Sequence, residues 1–250
     1  MPVQADFAAV VRELIFARMP GSRHPFRRKV LDGRATRVDL ATFAVQTYHR
    51  NLYSSRFASA NHSHCPHPEI RRGLLEVALE EELKGPGEPP SHAELMLEFA
   101  AALGLSRDDV VQSRPLPSTR TFVDTIMQLS QGHWLEGMAF RASELGAPKG
   151  TALWFDALQR HYGFRPEALR WWSTHAVADV EHGNLALEAY GRHARDESEQ
   201  ALALHALERM IAAWWVFDDG IQHAAEAALR GEDVGFPVPS AELWPALPAG

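Results

Sequence analysis

His175, Asp179 and His182 stand at i, i+4 and i+7 in the segment running from Trp171-Trp172-Ser173 to Val180-Glu181-His182. At about 100° per residue, this spacing gathers two imidazoles and a carboxylate into an arc of roughly 60° on one helical face. Ala168, Trp171, Trp172 and Ala186 flank the stripe, so the face is otherwise apolar and turns toward a core. A buried carboxylate is costly without a cation, and burial opposes charge on the imidazoles as well. A metal ion is one compensator. A hydrogen-bonded His and Asp pair with no ion is the other arrangement that this helix alone allows.

Other segments offer further ligands. Along Leu74 to Lys84, the residues Leu75, Ala78 and Leu79 form an apolar stripe that Glu82 continues, which predicts Glu82 as the inward acid and Glu80 and Glu81 as solvated. His92 follows Ser91 in the first turn of the next helix, close in sequence to Glu82 across a Gly/Pro loop. Glu144 shares a helix face with Gly137, Phe140 and Arg141 and supplies a third carboxylate, although an ion pair with Arg141 at i−3 accounts for it equally well. Arg141 is also a candidate for gripping a substrate carboxylate or orienting Glu144, and Tyr48 for lining a pocket. Three carboxylates and three imidazoles without a thiolate suit iron or manganese. Six ligands exceed a closed tetrahedral zinc site and suffice for two metals about 3.5 to 4 Å apart. Two divalent ions against three carboxylates leave one positive charge, which points to oxygen chemistry on a small anion or zwitterion.

The elements that must position these residues read as helices. The chain has 250 residues, 46% hydrophobic and 23% charged, which suits one ordinary globular domain and excludes a disordered chain. A formal charge of -7 opposes nucleic acid and anionic lipid as partners. One cysteine, Cys65, permits no internal disulfide, and the cytoplasm is the expected compartment. Asp6, Arg12 and Glu13 interrupt the N-terminal apolar stretch, and the apolar run from Met210 to Phe217 is too short for a bilayer, so the expectation is a protein neither exported nor embedded. Apolar residues recur at three-and-four spacing over roughly 6–18, 37–60, 67–84, 91–104, 118–145, 149–162, 165–193 and 197–230, predicting an all-α fold. Ser91 with Glu94 reads as a capping box, and Pro166 suits a first helical turn. Residues 1–230 form one predicted helical domain. Residues 231–250, with Pro237, Pro239, Pro245 and Pro248, are expected to be an extended or disordered tail.

These residues, in this order, resemble the heme-oxygenase-like diiron oxidases and oxygenases, relatives of the pyrroloquinoline-quinone synthesis oxidase and of thiaminase II. The likeness runs from His24-Pro25-Phe26 and Gln46-Thr47-Tyr48, through Leu79-Glu80-Glu81-Glu82 with Gly85, Ser91-His92-Ala93-Glu94-Leu95 and Ala102-Leu103-Gly104, to Glu144 with Pro148 and His161-Tyr162-Gly163. It ends on the His175, Asp179 and His182 triplet and Trp214-Trp215-Val216-Phe217-Asp218-Asp219-Gly220-Ile221. The triplet is the specific part. The resemblance implies a seven-helix bundle with a central site and carries the ligand roles to Glu82, His92, Glu144, His175, Asp179 and His182. It implies two Fe(II) per chain, with manganese as the alternative metal, and O₂ as co-substrate. The implied activities are N-oxygenation, desaturation or oxidative carbon–carbon cleavage of a small carboxylate or amino-acid-derived substrate in specialised biosynthesis. They leave room for an external electron donor and a homodimer. Two features depart from the family pattern: a longer loop before His92, and Ala78 where Asn is common.

Rival constellations are weaker. Asn61-His62-Ser63-His64-Cys65-Pro66-His67 gathers three imidazoles and a thiol beside a proline, and reads as a connecting loop with no carboxylate nearby. His49, His133, His161, His193, His205 and His223 have no partner at ligand spacing, and the tryptophans read as core. The chain contains no Glu-x-x-His, so a ferritin-like centre is disfavoured. Two other functions stay open: a metal-free oxidase in which the same histidines act as acids and bases, and a helical binding module without catalysis.

Overall fold

Side-chain caps begin many of the helices. Asp6, Thr36, Ser91, Ser106, His133 and Asp196 each accept a hydrogen bond from an amide in the first turn of the helix that follows. Pro68 and Pro117 instead occupy first turns, where a missing N–H is harmless. The computed structural model describes residue 3, residues 6–82, residue 88 and residues 90–239, and the side chains of 177–179 are outside that description. In chain order the helices are α1 (Phe7–Arg18), α2 (Pro25–Leu31), α3 (Arg37–Asn51), α4 (Ser54–His64), α5 (Pro68–Glu81), α6 (His92–Ala102), α7 (Arg107–Val111), α8 (Pro117–Gln131), α9 (Trp134–Ser143), α10 (Ala147–Tyr162), α11 (Arg170–His193) and α12 (Glu197–Leu229). Short 3-10 turns lie at Gly21–Arg23, Glu144–Gly146 and Pro166–Leu169. No strand occurs among the described residues, and the fold is all-α. No helix among them is long and apolar enough to cross a membrane.

Two stretches that read as single helices are broken. The 37–60 segment divides at Leu52 and Tyr53 into α3 and α4, and 118–145 divides at Gly132 and His133 into α8 and α9. At the second break, His133 and Glu136 close a reciprocal capping box that overrides the continuing apolar period. Ser91 accepts from the Glu94 amide at 3.3 Å, but the Glu94 carboxylate pairs with Arg107 at 2.7 Å and leaves the box half-made. Asn61–His64 form the last turn of α4, so only Cys65–His67 make the connection expected over the whole His-rich stretch. Much of the Gly/Pro segment before His92, residues 83–87 and 89, lies outside the described residues. The proline-rich segment begins without helix. Phe236 is buried there, and the Gly235 carbonyl accepts from the Arg114 N–H at 3.2 Å.

Two helices organise the interior. Helix α3 is buried from Val38 to Asn51 and packs on α6, α8 and α12. Helix α11 packs on α9, α10, α5 and α6. Aromatic rings link them: Phe43 of α3 lies 4.8 Å from Trp154 and 6.1 Å from Trp172, which meets Phe99 of α6 edge-on at 4.7 Å. Burial on this scale fixes the side of α11 that faces inward, and with it the histidines on that side.

Candidate metal centre

Three helix ends converge on the side of α11. Glu81 is the last residue of α5, His92 is the first of α6, and Glu144 follows α9 at the start of its 3-10 turn. His175 and His182 project from α11 two turns apart. All five side chains are buried. Placing acids at helix ends suits the chemistry, because the backbone there is free to turn a side chain inward. The His175 and His182 imidazoles come from a long helix whose register is set by packing.

The contacts are short and interlocked. His92 Nδ1 lies 2.8 Å from Glu81 Oε2, and the His92 and His175 rings stand 4.1 Å apart. Arg141, almost completely buried, places Nη1 3.0 Å from Glu144 Oε2 and 3.7 Å from Glu81 Oε1. His182 Nδ1 is 3.4 Å from Glu144 Oε2, and its Nε2 is 3.0 Å from Glu80 Oε2. His175 Nδ1 is 2.7 Å from the Trp171 carbonyl. A carbonyl can only accept, so Nδ1 carries the proton and Nε2 keeps its lone pair. The Asn51 amide donates to the His92 carbonyl at 3.2 Å and anchors the start of α6 to α3.

Electrostatics follow from this crowding. Burial alone would raise the Glu81 carboxyl, but His92, Arg141 and His175 outweigh it and hold the group below the usual carboxylate range. Burial pushes His175 well below its ordinary value, reinforced by His92 and opposed by Glu81. Burial would also lower His182, yet the hydrogen bond and charge of Glu144 push it up to about 9. The metal-free site therefore holds anionic Glu81, neutral His175 and protonated His182 near neutral pH.

The donor set fits a cation. Glu81, Glu144 and His182 offer ligand atoms that lie within 4.8 Å of one another. Glu81 Oε2 and His92 Nδ1, although close, are not aligned for a hydrogen bond, and each is buried without a hydrogen-bond partner. They face each other only as an ion pair at 2.8 Å, and a metal ion would bind both. Carboxylate oxygens with imidazole nitrogens and no thiolate suit iron or manganese.

The placement of the expected ligands is mixed. His92, Glu144, His175 and His182 come together. Glu82 does not: it is exposed, and Glu81 occupies the inward position. The buried stripe of α5 is Ile70, Leu74, Val77, Ala78 and Glu81, whereas Leu75 and Leu79 are 50% and 59% exposed. The α5 sequence carries two overlapping apolar stripes, and the one that meets α4 and α11 is offset by one residue from the one that Glu82 continues. Asp179 lies within α11, but its side chain is among those outside the described residues. Arg141 binds Glu144 and Glu81 and is not among the cavity-lining residues, so it orients carboxylates of the protein. Tyr48 is buried away from the cavity, and its neighbour Thr47 lines it instead. Glu80, half-exposed and expected to be merely solvated, holds the outer nitrogen of His182.

A cavity of about 320 Å³ opens from this cluster. Glu81, Glu144 and His175 line it with Phe43, Trp154, Trp171, Trp172 and Trp214, so several core tryptophans are also pocket walls. Arg50 lines it too, its guanidinium 4.9 Å from the Trp214 ring and bonded to Asn51 Oδ1 at 3.0 Å. The exposed side chains of Arg23 and Lys149 belong to the same lining. Thr47 Oγ1 and Trp171 Nε1 are buried in this wall without hydrogen-bond partners. No sequence signal separates these lining residues from ordinary core.

An all-α fold with buried acids and imidazoles at its centre is suited to holding a metal ion. The family model for an iron-containing redox enzyme matches residues 41–215, and the chain belongs to that family. It is 29% identical over 211 residues to a 4-aminobenzoate synthase of Nitrosomonas europaea, covering 80% of this chain and 84% of the relative. It is 28% identical over 230 residues to a pyrroloquinoline-quinone synthase of Pseudomonas aeruginosa, covering 89% of each. A domain with a heme oxygenase-like fold from Shewanella denitrificans superposes with a TM-score of 0.73 at 19% identity, over 90% of this chain and 93% of that one. The fold and the oxidoreductase family expected from the resemblance are thereby established.

Proposed function

We propose that this chain is a nonheme diiron, O₂-dependent oxidase or oxygenase acting on a small carboxylate or amino-acid-derived substrate. The observation that carries the reading is the convergence of Glu81, Glu144, His92, His175 and His182 in one buried cluster, of which Glu81, Glu144 and His175 line a cavity. With Asp179, these residues would hold two Fe(II). Bound iron would supply electrons and Lewis acidity for the activation of O₂.

The protein's own groups set the conditions for that chemistry. Arg141 holds the Glu144 carboxylate, the Trp171 carbonyl holds the His175 tautomer, and Glu80 accepts from His182 Nε2 so that Nδ1 faces Glu144. The His182 proton facing Glu144 must leave when a metal binds. Aromatic walls keep the site dry and give an apolar body a place to lie. Arg23 and Lys149 attract an anion, and Thr47 Oγ1 and Trp171 Nε1 offer hydrogen bonds to a carboxylate. The compound that the Nitrosomonas europaea relative is named for making, 4-aminobenzoate, is a small carboxylate, so a reaction of this family ends on that chemical class. A metal-free oxidase is favoured by one feature, the buried His182 held protonated up to about 9, which suits a general acid.

Anaerobic Fe(II) titration followed by O₂ exposure separates the two. Uptake of two equivalents per chain, an optical transient on oxygenation, and loss of both in Glu81→Gln and Asp179→Ala are the expected results. A chain that takes up no iron overturns the diiron reading and leaves the metal-free one.

A further inference from the structure

A second set of donors lies at the far ends of two helices that build the centre. His67 immediately precedes α5, Glu69 follows in its first turn, and His193 is the last residue of α11. The His67 and His193 rings stack at 3.6 Å, and Glu69 Oε1 lies 3.3 Å from His193 Nε2. One ligand atom from each residue falls within 4.8 Å of the others. Trp134 packs against both rings, at 4.9 and 5.6 Å, and closes one side of the cluster. His193 Nε2 is shielded from solvent and has no aligned hydrogen-bond partner. We propose that His67, Glu69 and His193 form a peripheral site for a divalent cation of the zinc class, which staples the start of α5 to the end of α11.

The chemistry of the donors selects that class. Two imidazole nitrogens and one carboxylate oxygen suit zinc and its borderline neighbours, and three protein ligands leave a fourth position for water. Burial, reinforced by the neighbouring His67, pulls His193 below its ordinary value, so its nitrogen is unprotonated and free to ligate near neutral pH.

The location gives the site a role. Helices α5 and α11 run antiparallel, since His67 and Glu69 meet His193 at one end while Glu80 meets His182 at the other. They pack closely between the two: a Cβ at Gly73 would come within 2.7 Å of Leu185. From Glu69 to Glu81 is about 18 Å along α5 at roughly 1.5 Å per residue. A cation at the outer end therefore fixes the separation of two helices that deliver Glu81, His175 and His182 to the centre.

The test is independent of the diiron reading. Zn²⁺ binding by equilibrium dialysis and its effect on the melting temperature are measured on the full chain and on Glu144→Gln, which disables the central cluster. Glu144→Gln is expected to keep one zinc per chain and a zinc-dependent rise in melting temperature. Adding Glu69→Gln or His193→Asn should weaken that binding by about tenfold or more and remove the rise. Glu69 is exposed, so Glu69→Gln keeps the test valid should His193→Asn fold poorly. Absence of zinc binding by Glu144→Gln, or equal affinity with and without the Glu69 substitution, overturns the proposal.

Discussion

Glu81 and Glu82 are adjacent acids with opposite fates, and the contrast is open to direct measurement. Glu82→Gln is expected to bind iron as the parent does, whereas Glu81→Gln loses a buried anion facing His92 and Arg141 and should bind at least about tenfold more weakly, read by anaerobic Fe(II) titration. A second prediction concerns His49, outside the site. Ser113 Oγ donates to the Val110 carbonyl at 2.6 Å and so accepts from His49 Nε2 at 2.8 Å, which fixes the orientation of the ring. Burial, with a contribution from Arg120, lowers His49 from 6.5 to about 4. The folded value lies below the unfolded one, so the stabilising contribution is complete above about pH 6.5 and is lost as pH falls toward 4. Between pH 7 and pH 5 the chain should lose about 2 kcal/mol through this group, and urea denaturation of His49→Gln should show a correspondingly smaller loss.

Among the elements, helix existence was legible and helix breaks were not. The periodicity of 37–60 and 118–145 continues through both interruptions because the separated helices pack against the same core. His133 capping of α9 could have been suspected from Glu136 three residues on, but histidine is not the usual cap. Helix pairing adds constraints that no single segment displays. Gly220 of α12 faces Ser118 in the first turn of α8, and a Cβ there would lie 1.8 Å from Ser118 Oγ and 2.4 Å from its Cβ. Gly220→Ala should therefore destabilise the chain by about 1–3 kcal/mol in urea denaturation, although alanine is the better helix former by about 1 kcal/mol.

At the level of the molecule, the centre ties α5, α6, the end of α9 and α11 into one unit, so ligand binding and folding are linked. Fe(II) at about one hundred times its dissociation constant should add roughly 2.7 kcal/mol and raise the melting temperature by about 5–10 °C under anaerobic conditions. Asp179→Ala should show little of that rise. Much of this design was readable in one dimension. Helical periodicity identified an all-α chain, and the His175, Asp179 and His182 spacing marked a polar stripe on an apolar face, because both depend on residues within two turns of each other. The Arg141–Glu144 pair was also legible, at i and i+3. Choosing Glu81 over Glu82, adding Glu81 to the partners of Arg141, lining the cavity with Thr47 and Arg50, and bringing His67 to His193 all required the packed bundle. In each case the residue's surroundings come from helices distant in the chain, and a one-residue change in the buried face of α5 exchanges a ligand for a solvated acid.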